Sequence, residues 1–127
     1  MKNHNKFHTF VIGLMLASLI LTACSSASAS APKFPTGKFI SADNSSLGYI
    51  FNADKTWKYI YYGEYSAEGK YSVKGNTWTE KGTEECPFSG TYEWTFDGSN
   101  LTFNLTGQDK CENRRQATDG QTFILQK

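Results

Sequence analysis

The side chains of this chain that could act as nucleophiles or metal ligands are mainly those of three cysteines. The thiols belong to Cys24, Cys86 and Cys111, and the only imidazoles, those of His4 and His8, lie close to the N-terminus. Because no histidine follows residue 8, a later cysteine has no imidazole to activate it or to share a metal ion with it. The same absence excludes a Ser-His-Asp triad, and no glycine-rich phosphate loop is present. We therefore expect no enzymatic activity, no metal site and no cofactor.

The first of these cysteines closes a segment with the order of an export signal. Lys2 and Lys6 precede a short apolar run over residues 10–21, and small residues then lead to Cys24. A basic start, an apolar run and small residues at a cleavage site are typical of a secretory signal peptide. The run is shorter than the roughly 20 residues of a permanent membrane-spanning helix, although an uncleaved anchor is the alternative.

The stretch Leu21-Thr22-Ala23-Cys24 resembles the lipobox of bacterial lipoproteins. The resemblance implies that Cys24 receives a diacylglycerol and becomes the mature N-terminus. The membrane would then be a partner through this lipid, on the extracytoplasmic side of the cell envelope. The residue after the cysteine is Ser25 and not an aspartate. If the cell is Gram-negative, this resembles lipoproteins that are sent by default to the outer membrane.

One domain follows this segment. The chain divides into a signal peptide over 1–23, a lipidated N-terminus and flexible Ser/Ala-rich tether over 24–36, and a domain over 37–127. Removing Lys2 and Lys6 from the 13 Lys and Arg leaves 11, against 12 Asp and Glu, so the remainder carries a formal charge of −1. This balance provides no basic patch for nucleic acid, and none is expected as a partner.

Cys86 and Cys111 remain as an even pair in an exported and oxidising setting, which predicts a disulfide. Such a bridge would close a loop of about 25 residues and stabilise the fold by roughly 3 kcal/mol in the chain-entropy model. A shared metal ion or a catalytic thiol are the alternatives, and the lack of histidine disfavours both.

Short alternating apolar runs, separated by turn-forming residues, predict an all-β domain. The predicted strands are 38–42, 47–52, 56–62, 69–74, 77–82, 89–96, 100–106 and 121–126. Stretches rich in Asn, Asp, Ser and Gly, including 66–69, predict the turns between them. Tight turns give an antiparallel up-and-down meander, and eight strands can close into a barrel without exposed edges. The polar stretch 106–120 breaks this pattern and predicts an irregular loop that the disulfide ties to the connection before the sixth strand.

Aromatic side chains share one face of these alternating strands. They are Trp57, Tyr59, Tyr61, Tyr71, Tyr92, Trp94 and Phe103. The interior of an eight-stranded barrel is either filled by side chains or holds one small ligand, so these residues are candidates for a packed core or for a ligand pocket. The packed core is the simpler interpretation. Several inward tyrosine hydroxyls, which need partners when buried, favour a partly wet cavity.

The domain resembles the small bacterial lipocalin-like domains of the calycin type. The resemblance is carried by Gly37-Lys38-Phe39, the turn Asn52-Ala53-Asp54-Lys55-Thr56-Trp57, the Gly-x-Tyr hairpins at 69–71 and 90–92, and Asp109-x-Cys111-x-x-Arg114. Calycins usually have a tryptophan where Phe39 stands and a late arginine that packs over it and closes one end of the barrel. The resemblance implies this role for Arg114, with a cation–π contact to Phe39. The sequence leaves open whether Arg114 or Arg115 faces inward.

Three functions are compatible with these features. The first is a membrane-anchored, monomeric lipocalin-like barrel that binds a small hydrophobic or aromatic ligand. The second is a protein-binding or inhibitor module, because Ser89-Gly90-Thr91-Tyr92 loosely resembles a motif of lipoproteins that inhibit lysozyme. The third is a structural envelope lipoprotein without a ligand. The volume of the barrel interior decides between the first function and the others.

Overall fold

The computed structural model describes residues 30–127, which form one closed β-barrel. The strands are β1 (Gly37–Ser41), β2 (Leu47–Phe51), β3 (Thr56–Tyr61), β4 (Glu64–Lys74), β5 (Thr77–Glu80), β6 (Gly90–Phe96), β7 (Asn100–Leu105) and β8 (Thr122–Leu125). Each strand pairs antiparallel with the next, and β1 pairs with β8 to close the barrel. The predicted all-β, eight-stranded up-and-down barrel is confirmed, and one short helix, α1 (Glu112–Thr118), is added to it.

The predicted signal peptide and the lipidation site at Cys24 lie outside the described residues. From residue 30 onward, no helix combines the length and the apolar character that crossing a bilayer would require.

The two ends of the barrel differ in their connections. The lower end carries the chain before β1 and the tight β2–β3, β4–β5 and β6–β7 turns. These turns fall where the sequence predicts them, with positive φ at Lys55, Gly75 and Gly98. The upper end carries the β1–β2 loop, the β3–β4 hairpin, the β5–β6 loop and the long β7–β8 connection that contains α1. The longer connections therefore gather at one end, and they leave the lower end compact.

The predicted turn at 66–69 is wrong, because this stretch lies inside β4. The chain reverses instead at Tyr62 and Gly63, whose φ angles of 50° and 83° suit a two-residue hairpin between twisted strands. Ser66 is the extra residue of a β-bulge in β4. Small and polar residues are common in turns, but a bulge accommodates them as well without reversing the chain. The composition of 66–69 therefore predicts a turn where the structure has a bulged strand.

The stretch 106–120 is not wholly irregular, since it contains α1 (Glu112–Thr118). Seven residues are too few for a helical apolar period to stand out in the sequence. Thr118 at the end of α1 is fully buried, and its hydroxyl shares a hydrogen bond of 2.9 Å with the hydroxyl of Tyr49 in β2. The helix is thereby held against the upper end of the barrel.

The lower half of the barrel interior is packed solid with aromatic rings. Phe34 inserts among them, with ring centroids 5.1 Å from Phe51, 5.3 Å from Tyr71 and 5.1 Å from Trp94. Phe34 is only 5% exposed, although the sequence places it in the flexible tether. The core therefore begins before the predicted boundary at residue 37, because a large apolar side chain gains more from burial than the short segment loses in freedom.

The predicted disulfide between Cys86 and Cys111 is confirmed, with Cα atoms 6.0 Å apart. It joins the β5–β6 loop to the residue that precedes α1, and so it ties the two long connections of the upper end together. For a sequence separation of 25 residues, loop closure contributes about 3 kcal/mol to stability.

Candidate ligand-binding site at the upper end of the barrel

A cavity of about 800 Å³, here called the upper cavity, opens between the β3–β4 hairpin and the disulfide-linked connections. Sites for small molecules typically measure about 300–1,000 Å³. The lining side chains come from β2 to β5, from the β5–β6 loop and from α1 and the residues before it. They are Leu47, Tyr49, Trp57, Tyr59, Tyr61, Ser66, Ala67, Glu80, Thr83, Glu85, Cys86, Lys110, Cys111, Glu112, Asn113, Arg114, Gln116 and Ala117.

The structure separates the seven aromatic candidates into two groups. Three line the upper cavity: Trp57 and Tyr59 on its wall, and Tyr61, which is 52% exposed, at its mouth. Four lie in the packed core instead: Tyr71, Tyr92, Trp94 and Phe103. Alternation along a strand predicts which side chains face inward, but it does not predict how far up the barrel each one lies.

Trp57 reaches the cavity because a glycine faces it across the sheet. A Cβ atom on Gly69 of β4 would lie 2.9 Å from the Trp57 ring, which leaves room for no side chain there. The indole is 4% exposed, and within residues 30–127 no acceptor reaches its N–H group. An unsatisfied buried donor therefore lies beside Gly69, behind the wall of the upper cavity.

Glu80 and Arg114 form the floor of the upper cavity, and together with Tyr92 and Asp109 behind them they make a buried polar cluster. Arg114 donates from Nε and Nη2 to the two oxygens of Asp109, each at 2.6 Å. A third contact of 3.2 Å runs from Nη1 to Oε1 of Glu80. Tyr92 donates its hydroxyl to Oδ2 of Asp109 at 2.5 Å. Arg114 and Asp109 therefore form a bidentate pair, and Glu80 is bound less closely.

Gly90 at the start of β6 makes room for this pair. A Cβ atom there would clash with the Asp109 carboxylate and would lie 2.7 Å from Nε of Arg114. Burial opposes ionisation of Asp109, but the bonds from Arg114, Tyr92 and the Cys111 backbone outweigh it and hold the Asp109 pKa below its usual value. Burial also disfavours the charged form of Arg114. The carboxylates of Asp109 and Glu80 outweigh this effect and raise the pKa of Arg114.

Arg114 is the inward arginine, and Arg115 is exposed. The cation–π contact implied between Arg114 and Phe39 is not formed in the described part of the chain. Phe39 packs against Phe51 and Phe96 toward the lower end. Arg114 instead binds Asp109 at the upper end, because a carboxylate is a stronger partner than a phenyl ring for a buried guanidinium. The predicted joint closure of the barrel by these two residues is therefore corrected.

Glu80 at the end of β5 is the site residue that sequence reasoning missed. It is 3% exposed, and in the described structure its Oε2 atom has no hydrogen-bond partner. Burial raises the pKa of Glu80 to about 7 against the opposing effect of Arg114. The sequence does contain a signal for this burial. Side chains two residues apart in a strand face the same side, so Glu80 faces inward like Trp78. A strongly perturbed acid in a cavity is a common mark of a functional site.

The domain is expected to become less stable as the pH rises from about 5 to about 8. Native Glu80 holds its proton up to about pH 7, whereas an unfolded glutamate releases it near 4.5. The stabilisation from this group is therefore complete below pH 4.5 and is lost as the pH rises through 7. Urea midpoints at several pH values measure the effect. Glu80→Gln should flatten the profile and Glu93→Gln on the exposed face should not; identical profiles for all three proteins would contradict the assignment.

No group of three or more His, Cys, Asp or Glu side chains in residues 30–127 is arranged to hold a metal ion. Comparisons with protein-family models, curated proteins and solved structures found no match to the chain. The assignment of the site therefore depends on its geometry and chemistry.

Proposed function

We propose that this protein is a membrane-anchored bacterial lipoprotein whose lipocalin-like barrel binds one small ligand with an apolar or aromatic body. The observation that carries the proposal is the upper cavity, with its volume of about 800 Å³. The lipid on Cys24 would hold the protein to the membrane, and the residues before Phe34 would act as the tether. In this proposal the barrel binds and does not catalyse.

The lining of the upper cavity supports binding of such a ligand. Tyr49, Trp57 and Tyr59 form a continuous aromatic wall, with centroid distances of 5.8 Å between Tyr49 and Trp57 and 4.9 Å between Tyr49 and Tyr59. Aromatic walls with a few fixed polar groups are typical of small-molecule sites. Trp57 and Glu80 line the cavity, and each has a buried polar atom without a hydrogen-bond partner in residues 30–127. A ligand could therefore gain apolar burial and polar contacts together.

Filling the upper cavity tests this function. A neutral aromatic dye, N-phenyl-1-naphthylamine, should bind at one equivalent and quench tryptophan fluorescence. Ala67→Trp, on the half-buried cavity wall of β4, should weaken binding at least about tenfold, since the new ring occupies the ligand volume. The matched control is Ala53→Trp, in the exposed lower turn, which should bind like the native protein. Absence of saturable binding across a panel of apolar dyes and lipids would refute the proposed function.

A second candidate function is binding of a protein partner through the β3–β4 hairpin. Tyr61, Tyr62 and Tyr65 are 52%, 66% and 65% exposed there, and clustered exposed tyrosines are frequent anchors of protein interfaces. Tyr62 and Tyr65 do not line the upper cavity, so the two functions can be separated. Substituting both with serine should leave dye binding unchanged and should abolish capture of a partner that uses this hairpin.

A further inference from the structure

Glu80, which lines the upper cavity, has a buried carboxylate oxygen whose hydrogen-bonding capacity is unfilled. Oε1 of Glu80 accepts from Arg114 at 3.2 Å, whereas Oε2 has no donor within residues 30–127. The Glu80 side chain is only 4% exposed, so little bulk water reaches it. A buried carboxylate oxygen without a donor is unfavourable. Oε2 is covered by protein atoms, so a donor in the cavity would meet it after a rotation of the Glu80 side chain and would then relieve this cost.

The charge of Arg114 is already committed to another carboxylate. Its two bonds of 2.6 Å to Asp109 are shorter than its single contact with Glu80, and they form the bidentate geometry in which arginine binds carboxylates best. The pair formed by Arg114 and Asp109 is neutral as a whole. When Glu80 ionises, its negative charge is therefore not fully balanced at the cavity floor.

The rim of the cavity is also acidic on balance. Glu85 and Glu112 line it, and Lys110 is the cation of the rim. The Lys110 amino group lies 5.0 Å over the ring of Phe88, and this cation–π contact with a neutral ring leaves its charge unchanged. One lysine therefore faces two glutamates at the rim. The charges around the cavity thus oppose an anionic ligand and favour a cationic one.

The aromatic wall suits the same ligand charge. The rings of Tyr49, Trp57 and Tyr59 lie beside the cavity, and the negative faces of such rings attract an ammonium group when water is displaced. Their apolar surface would also cover the body of the ligand. An aromatic wall beside a carboxylate whose charge is only partly balanced is therefore complementary to a protonated amine that carries an apolar group.

We propose that the ligand of the upper cavity is a protonated organic amine, whose N–H group donates to Oε2 of Glu80 while its body packs against Trp57 and Tyr59. This inference rests on the proposed function, because it names the chemical class of the ligand of the same cavity. The need for a donor at Oε2 selects primary and secondary amines over quaternary ammonium ions, which have no N–H group.

Amine binding would be linked to the release of a proton. Glu80 has a pKa raised to about 7, so below that pH it must lose its proton before it pairs with an ammonium group. Three tyrosines from neighbouring strands lie around Glu80: Tyr49 from β2, Tyr71 from β4 and Tyr92 from β6. Asp109 and Arg114 approach it from the β7–β8 connection. The charged groups at the rim are Glu85, Lys110 and Glu112. Of the groups inside the barrel, Glu80 is the one that titrates near neutral pH.

The test compares four probes that share a phenylethyl group, by calorimetry on the full chain in nanodiscs of neutral lipid, with empty nanodiscs subtracted. The probes are phenethylamine, phenethyltrimethylammonium, 2-phenylethanol and 3-phenylpropionate. At pH 8 the primary amine should bind at least about tenfold more tightly than the alcohol, and the carboxylate should bind most weakly. Amine affinity should fall between pH 8 and pH 6, with proton release detected in buffers of different ionisation enthalpy.

Glu80→Gln should reduce the preference for amine over alcohol to near unity and should abolish proton release. Glu93→Gln on the exposed face of β6 is the matched control, and it should retain both, because Glu93 does not line the cavity. The inference is overturned if the alcohol or the quaternary ion binds as tightly as the primary amine, while binding of the alcohol leaves the proposed function intact. Absence of binding by all four probes overturns the inference alone, because the panel of dyes and lipids decides the proposed function. The probe and pH series use the native protein, so they decide the question even if Glu80→Gln does not fold.

Discussion

Arg114→Met is expected to lower the free energy of unfolding by about 3–5 kcal/mol, because it removes one partner of a buried ion pair. Both oxygens of Asp109 accept from the Arg114 guanidinium at 2.6 Å, and Asp109 is only 3% exposed. Methionine is similar in length to the arginine stem, so the loss would report the unpaired charge on Asp109 more than an empty volume. Urea denaturation followed by tryptophan fluorescence measures the change.

Arg115→Met provides the matched control for this prediction. Arg115 is the next residue of α1, but it is exposed, and its substitution should change stability by no more than about 0.5 kcal/mol. Equal losses for the two variants would show that helix propensity, and not the buried pair, causes the effect. A loss below about 1 kcal/mol for Arg114→Met would show that the pair adds little to the fold.

Phe34→Ala should lower the free energy of unfolding by a similar amount, about 3–5 kcal/mol, because it empties the lower end of the aromatic core. The Phe34 ring contacts the rings of Phe51, Tyr71 and Trp94, and Phe34 is only 5% exposed. The segment before β1 forms no strand, so this one side chain provides most of its attachment to the barrel. Thermal and urea unfolding both measure the loss.

The control is Phe88→Ala in the β5–β6 loop, where the side chain is 46% exposed and the expected loss is about 1 kcal/mol or less. Phe34→Leu should be intermediate, since it keeps part of the apolar volume. If Phe34→Ala unfolds like the native protein, the segment before residue 37 contributes nothing to the core, and the domain begins at residue 37 as the sequence predicts.

The errors in the sequence-based prediction have specific physical causes. The hairpin at Tyr62 and Gly63 places a tyrosine at positive φ, which is uncommon and therefore carries little turn signal. Phe34 is isolated among prolines and polar residues, so no periodic pattern marks it as part of the core. The burial of Phe34 depends on contacts with residues distant in the chain, which local patterns do not encode.

The sequence by itself determined the all-β class, the strand number, the order of pairing and the disulfide. Alternation with a period of two, punctuated by turn residues, specifies strands and their inward faces from local chemistry alone. Two cysteines without a competing histidine leave one bridge to form.

Only the tertiary structure decided where the barrel interior is filled and where it is open. Phe34 closes the lower end, while the long connections hold the upper cavity open beside Trp57 and Tyr59. Tertiary structure also brought Glu80, Asp109 and Arg114 together from β5 and the β7–β8 connection. The physical reason is that alternation along a strand specifies only whether a side chain faces inward or outward. Its height along the barrel, the residues it contacts and the degree to which it is desolvated arise only when all eight strands close.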